Sequence, residues 1–126
     1  MSVNSYQDLI VWQKAMDLAE QCYRTTRTFP RDELYGMTSQ ICRAATSIPA
    51  NIAEGWGRGT TKQYVHFLRI AQGSNKELET LLLLSRRVDL LTDTEARPLL
   101  QLLAEVSRMT ISLIGSLKRS RERGRE

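Results

Sequence analysis

The feature that most constrains this chain of 126 residues is a 3-4 spacing of apolar residues, which recurs in four separate segments. That spacing places the apolar side chains on one face of an α-helix, and no window shows the alternation typical of a strand. Prolines, glycines and capping residues separate the segments and leave short connections. The sequence therefore predicts four helices at roughly residues 6–28, 33–54, 60–89 and 94–117.

Short connections place consecutive helices antiparallel, so we predict an all-α, up-down-up-down four-helix bundle that forms one domain over residues 1–117. Pro49, inside the second helix, is expected to kink it or to remove one hydrogen bond. The residues expected to face the core are Leu9, Trp12, Met16, Ala19, Tyr23 and Thr26 in the first helix; Leu34, Met37, Ile41, Ala44, Ala45, Ile48 and Ile52 in the second; Tyr64, Phe67, Ala71, Ser74, Leu78, Leu81, Ser85 and Val88 in the third; and Leu99, Leu102, Val106, Met109, Leu113 and Leu117 in the fourth.

The net charge of +4 is concentrated at the end of the chain. Residues 118–126 hold five basic and two acidic side chains, and they are expected to form a basic, flexible tail. Such a tail suits phosphates or acidic protein surfaces, but it equally suits a purely solubilising role. Its charged residues are Lys118, Arg119, Arg121, Arg123 and Arg125, with Glu122 and Glu126; we take Lys118, Arg119 and Arg121 as candidate nucleic-acid contacts.

Few residues suited to catalysis or metal binding are present. His66 is the only histidine, and Cys22 and Cys42 lie in separate helical segments, where we expect reduced thiols. The glycine-rich run Gly55–Gly59 follows a helix rather than a strand, which argues against a nucleotide-binding loop. We expect no enzyme activity, metal or cofactor. No apolar run approaches the length of a membrane span and no export signal is visible, so a cytoplasmic location is expected.

Basic residues recur along the third helix. Lys62, Arg69 and Lys76 are spaced by seven residues, with His66 between the first two, so they share one helix face. Arg58 extends this basic line across the preceding turn. A line of this kind can follow a phosphate backbone, although a solvated helix face is the plainer interpretation for an isolated chain. Repetition around an oligomer would turn the line into a large positive surface.

Three residues are candidates for a subunit interface. Trp56 is expected in a turn between two glycines, where it could stack on a base or cap the bundle; we favour packing on a neighbouring subunit. Gly73 and Ser74 belong to a cluster of small residues in the second and third helices. A glycine inside a helix costs about 1 kcal/mol relative to alanine, so close packing is expected to offset it, either within the bundle or between subunits.

Several of these segments together resemble a bacterial family. They are Tyr6–Ala15, Phe29–Met37, Gln40–Gly55 (QICRAATSIPANIAEG) and Phe67–Glu77 (FLRIAQGSNKE). The chain resembles the four-helix-bundle proteins encoded in intervening sequences of 23S ribosomal RNA genes, also called S23 ribosomal proteins, over roughly residues 5–117. The resemblance implies a ring-like homopentamer without catalytic residues. It also implies kinship with the accessory variability determinant of diversity-generating retroelements, a basic pentamer that works with a reverse transcriptase and nucleic acid.

Two functional hypotheses follow from the basic residues and the resemblance. The first is a non-enzymatic, homo-oligomeric protein that binds nucleic acid, with RNA as the expected ligand. The second is a protein–protein adaptor, such as an accessory subunit of a reverse transcriptase.

Overall fold

The computed structural model describes residues 4–124, and the four predicted helices are present. Two short 3-10 turns, Tyr6–Asp8 and Arg31–Glu33, precede the first and second helices. The helices are α1 (Ile10–Thr26), α2 (Met37–Gly57), α3 (Thr61–Arg87) and α4 (Asp93–Gly124). The part of the chain that the structure describes contains no strand. Consecutive helices pack on one another and α1 also packs on α4, which closes the four into a bundle.

The core confirms the predicted face of α2, where Ile41, Ala44, Ala45, Ile48 and Ile52 are buried. The predicted faces of α3 and α4 hold in part. In α3, Ala71, Leu78, Leu81 and Ser85 are buried as expected, together with Leu68, Asn75 and Leu82; in α4, Leu99 and Val106 are buried, together with Leu103, Thr110 and Ile114. Leu34 and Val88 are about half exposed because they lie just outside the helices.

The predicted buried face of α1 holds in part: Ala19 and Thr26 are buried as expected, but at two positions the buried residue is the preceding one. Met16 and Tyr23 are 44% and 49% exposed, whereas Ala15 and Cys22 beside them are fully buried. One residue corresponds to about 100° of rotation about the helix axis. Apolar residues occupy two adjacent stripes on α1, and spacing does not decide which stripe faces inward. The stripe with the smaller side chains is buried.

Small residues bring α2 and α3 close together. A Cβ atom on Gly55 would lie 2.9 Å from Cβ of Phe67 and 3.1 Å from the carbonyl oxygen of Tyr64. Nearer the middle of the pair, the hydroxyl oxygens of Ser47 and Ser74 are 2.8 Å apart and hydrogen-bonded. The two helices therefore approach at a distance that a larger residue at position 55 would prevent.

A layer of polar side chains links α3 to α4. Asn75 is 1% exposed, and its Nδ2 donates to the carbonyl oxygen of Leu103 at 3.0 Å. Nε2 of Gln72 donates to Oγ of Ser107 at 2.7 Å. Gln72 precedes Asn75 in α3, whereas its partner Ser107 follows Leu103, the partner of Asn75, in α4. The two helices are therefore antiparallel. Because both donors are satisfied in one register only, the layer aligns α3 against α4.

Two helix ends lie beyond their predicted positions. α2 continues to Gly57, and Gly59 follows with φ of +85°, a conformation that glycine adopts readily. α4 was expected to end near residue 117 but continues to Gly124, so residues 118–124 are helical. This segment consists mainly of lysine, arginine, glutamate and serine, which sustain a helix, and contains no proline. Arg125 and Glu126 lie outside the described residues.

Both cysteines are free thiols. Cys22 is fully buried in the core, and Cys42 on α2 is partly exposed. Burial, and to a smaller extent the neighbouring Cys42, raises the pKa of Cys22 to about 12. The Cys22 thiol is therefore protonated at neutral pH, and it packs as a small apolar group.

Gly55→Ala tests the close approach of α2 and α3. Alanine favours a helix, yet its Cβ has no room against Phe67 and Tyr64. We expect a loss of about 1–3 kcal/mol in the free energy of unfolding, measured by urea denaturation. Gly73→Ala is the control, because a Cβ there meets no atom within 4 Å and should stabilise the helix by about 1 kcal/mol. Equal stabilisation by both substitutions would contradict the close approach of α2 and α3 at Gly55.

The two thiols should differ in reactivity. At neutral pH, iodoacetamide is expected to modify Cys42 faster than Cys22 in the folded protein, because Cys22 is buried and protonated. In urea, where burial is lost, the rates should converge. Mass spectrometry of peptides after timed quenching measures both rates. Faster modification of Cys22 in the folded state would place it outside the core.

Candidate nucleic-acid interface

The predicted basic line lies on the side of α3 that faces away from the core. At 100° per residue, Lys62, Arg69 and Lys76 fall within about 40° of one another around the helix axis. Leu68, Ala71, Asn75, Leu78 and Leu82 occupy the opposite, buried side. All three basic side chains are exposed, and the line from Lys62 to Lys76 spans about 20 Å at 1.5 Å per residue.

Acidic side chains neutralise little of this line. Nζ of Lys76 lies 3.5 Å from a carboxylate oxygen of Glu79, a long contact between two partly exposed side chains. Exposed pairs of this kind contribute at most about 1 kcal/mol, so a phosphate can displace Glu79. Within residues 4–124, no ion pair engages Lys62 or Arg69.

Arg58 is held at the end of α2 by two neighbours. Its Nε lies 2.8 Å from a carboxylate oxygen of Glu54, and its guanidinium carbon lies 4.9 Å from the centre of the Phe67 ring. The edge of the exposed His66 ring meets the same phenyl ring, with the centroids 5.1 Å apart. The Phe67 ring therefore contacts both Arg58 and His66, near the start of the basic line on α3.

The extension of α4 brings further cations to the same end of the bundle. Lys62 lies ten residues before Gln72, and Leu117 lies ten residues after Ser107, the hydrogen-bonded partner of Gln72. In an antiparallel pair these positions are level, so α4 beyond Leu117 stands next to the start of α3 and projects past it. Lys118, Arg119 and Arg121, the candidates from the sequence, are exposed on this projection.

A second basic line, on the outer face of α4, was not predicted from the sequence. Arg97, Arg108 and Arg119 are exposed and spaced by eleven residues, which is close to three full turns. No ion pair within the described chain involves any of the three. A search for an eleven-residue repeat of basic residues would have found this line, whereas the seven-residue spacing used for α3 misses it.

The three interface candidates have different surroundings. Trp56 does not lie in a turn, as the sequence suggested, but in the last turn of α2, with its ring centroid 6.3 Å from that of Tyr6. Ser74 is hydrogen-bonded to Ser47 inside the bundle. Gly73 is exposed, and a Cβ there would meet nothing within 4 Å. Ser74 thus packs within the bundle, as one of the two interpretations expected, whereas no packing within the bundle involves a side-chain position at Gly73.

An apolar groove lies near the opposite end of the bundle, between α1, α2 and the turn that joins them. Its volume is about 600 Å³, and Phe29, Leu34 and Tyr35 contribute to its walls together with Arg27 and Arg31. Tyr35 is 92% exposed. A surface tyrosine beside an apolar groove with two arginines is typical of protein-binding surfaces.

The hydroxyl of Tyr64 is buried close to the basic end of the bundle. Burial raises the pKa of Tyr64 to about 12, and within the described residues its oxygen has no hydrogen-bond partner.

The part of the chain that the structure describes, residues 4–124, contains no group of three or more His, Cys, Asp or Glu side chains placed to hold a metal ion. Nor does it contain a helix both long and apolar enough to span a bilayer.

Comparison with known proteins gives one family and a similar solved structure. The family model described as 23S rRNA-intervening sequence protein matches residues 7–112. A similar crystal structure is that of a protein of unknown function from the S23 ribosomal protein family of Bacteroides thetaiotaomicron, with 26% sequence identity and a TM-score of 0.76. The match covers 83% of this chain and 98% of that one. No curated protein matches this chain.

Proposed function

Because the chain belongs to the 23S rRNA-intervening sequence protein family, we propose that it is a non-enzymatic, homo-oligomeric protein that binds nucleic acid, RNA in particular, in the cytoplasm. The observation that carries the proposal is the exposed line of Lys62, Arg69 and Lys76, which continues into the basic end of the bundle. RNA is preferred over DNA on the family description, which refers to a ribosomal RNA sequence.

The length and charge of the α3 line match a phosphate backbone. Measured along the axis of a duplex, the phosphates of one strand advance about 3.4 Å each, so a line of about 20 Å parallel to that axis spans the rise of roughly six of them. Each phosphate that a lysine or arginine neutralises releases condensed counterions, which provides the favourable free energy of binding. The extension of α4 adds four cations, Lys118, Arg119, Arg121 and Arg123, at one end of this path, and the ligand can continue across the end of the bundle.

Assembly would multiply this surface, and the resemblance of the sequence implies five copies. The α1–α4 side of the bundle offers a place for a second copy: a groove of about 520 Å³ whose lining includes Leu9, Ile10, Met109 and Leu113. Ile10 is 54% exposed there, which is unfavourable in water and favourable in an interface. Contact through this side leaves the basic line on α3 accessible, because α1 and α3 occupy diagonal corners of the bundle.

The groove beside Tyr35 favours a second candidate function, that of a protein–protein adaptor. Its apolar walls and two arginines suit a partner that carries apolar and acidic residues. A reverse transcriptase is the named candidate partner, from the kinship that the sequence suggests. The two functions use opposite ends of the bundle, so substitutions can separate them.

Charge reversal on α3 tests the nucleic-acid proposal. We expect the wild-type protein to bind an RNA duplex of about 16 base pairs, more tightly in about 50 mM than in about 200 mM salt. Arg69→Glu should lower the affinity at least tenfold at low salt and reduce the salt dependence, because a phosphate contact is lost and a repulsion is added. Fluorescence anisotropy measures the affinity.

Arg24→Glu is the matched control for that experiment. It changes the net charge by the same amount, but Arg24 lies on α1, diagonal to α3, and pairs with Glu20 at 3.0 Å. Its affinity should remain within about twofold of wild type. Equal losses in both variants would mean that only net charge matters, and the absence of wild-type binding at either salt would leave the adaptor as the better proposal.

Assembly is tested by the mass of the particle in solution. The chain has a mass of 14.4 kDa, and light scattering coupled to size exclusion is expected to give a multiple of it, with five copies as the number implied by the resemblance. Ile10→Asp should shift the mass towards the monomer, because a buried carboxylate at a subunit contact is unfavourable. A monomeric wild-type protein at micromolar concentration would refute assembly.

A further inference from the structure

We propose that Gly73 is the point of closest approach between this protein and the phosphodiester backbone of a bound nucleic acid. The inference rests on the proposed function and assigns a residue to it that carries no charge. Its basis is the position of Gly73 on the exposed side of α3, together with the empty space around it.

Packing within the chain does not explain a glycine at this position. Gly73 lies near the middle of α3, where glycine destabilises the helix relative to alanine. At Gly55, by contrast, a Cβ would collide with Phe67, so the fold itself requires that glycine. A Cβ on Gly73 would meet no atom within 4 Å. A contact with a molecule outside this chain would account for glycine at position 73.

Gly73 sits between two cations of the basic line. Arg69 is about 6 Å away along the helix axis and Lys76 about 4.5 Å, each within about 60° of it around the axis. A ligand bridging both side chains crosses the helix between Gln72 and Gly73, and Gly73 is the more exposed of the two. Without a Cβ there, phosphate oxygens can approach the helix backbone while both cations still reach them.

The neighbouring charges fit a polyanion. Glu77 is the exposed acid nearest along the helix; it lies towards α2, where it lines a shallow depression together with Arg43. Arg69 lies towards α4, away from that acid, in a small cavity that includes Gln72 and Ile111. Only a two-fold contact would bring the Arg69 and Lys76 of a second copy against these two, where the like charges would repel; contact with a different face of a neighbour is tested by the oligomeric mass.

A series of substitutions at position 73 tests the assignment. Gly73→Ala should raise the melting temperature of the protein and lower its affinity for the RNA duplex of about 16 base pairs. Gly73→Leu should lower the affinity further, by about tenfold or more. Higher stability combined with weaker binding is not expected of a residue with a merely structural role. Thermal unfolding, anisotropy and light scattering are measured on the same samples.

Gly57→Ala is the matched control, because Gly57 is also exposed and helical, with open space around it, but lies outside the interval from Arg69 to Lys76. The affinity of the Gly57→Ala variant for RNA should match that of the wild-type protein. Wild-type affinity in Gly73→Leu would overturn the assignment, as would a loss of affinity accompanied by a change in oligomeric mass, which would identify Gly73 as a subunit contact. If the wild-type protein does not bind RNA, the proposed function is refuted, and the assignment of Gly73 is refuted with it.

Discussion

The close approach of α2 to α3 at Gly55 is the contact on which the rest of the structure depends. With a Cβ excluded at Gly55 and the hydroxyls of Ser47 and Ser74 joined, the two helices have little freedom to slide or separate. α3 in turn aligns α4 through the amides of Gln72 and Asn75. The orientation of α3 about its own axis is thereby determined from both sides. Consequently the exposed side of α3, with its three cations, has one direction relative to the rest of the bundle.

Periodicity predicted the parts of this protein that helical geometry alone determines. A spacing of seven residues places Lys62, Arg69 and Lys76 on one side of any helix, whatever packs against it, so that part of the site could be placed from the sequence. The face of α1 could not, because apolar residues form two neighbouring stripes there and only the partner helices decide between them. Asn75 was missed for a related reason, since a polar residue in a pattern is taken to face water until a buried partner such as the Leu103 carbonyl is known.

The candidate site also extends beyond what spacing along a single helix can indicate. Arg58 directly follows α2, whereas Lys62 and Lys118 lie in α3 and α4, and only the antiparallel register of α3 and α4 brings these two level. Arg58 is further oriented by Phe67, a residue that the pattern assigned to the core and that contributes to the surface through its ring. The site is thus a property of the end of the bundle, where several helices meet. A sequence read one helix at a time describes only its components.

The continuation of α4 past the start of α3 has a consequence for the cost of recognition. A flexible tail would lose conformational entropy on binding, roughly 1–2 kcal/mol for each residue that becomes ordered. Residues 118–124 already have helical backbone dihedrals, so Lys118, Arg119 and Arg121 keep a defined angular relation to one another over about 4.5 Å of the helix axis. The projection therefore acts as a rigid arm: its reach and the directions of its charges are set by the fold before any ligand arrives, and a ligand whose phosphates do not follow that geometry gains little from it.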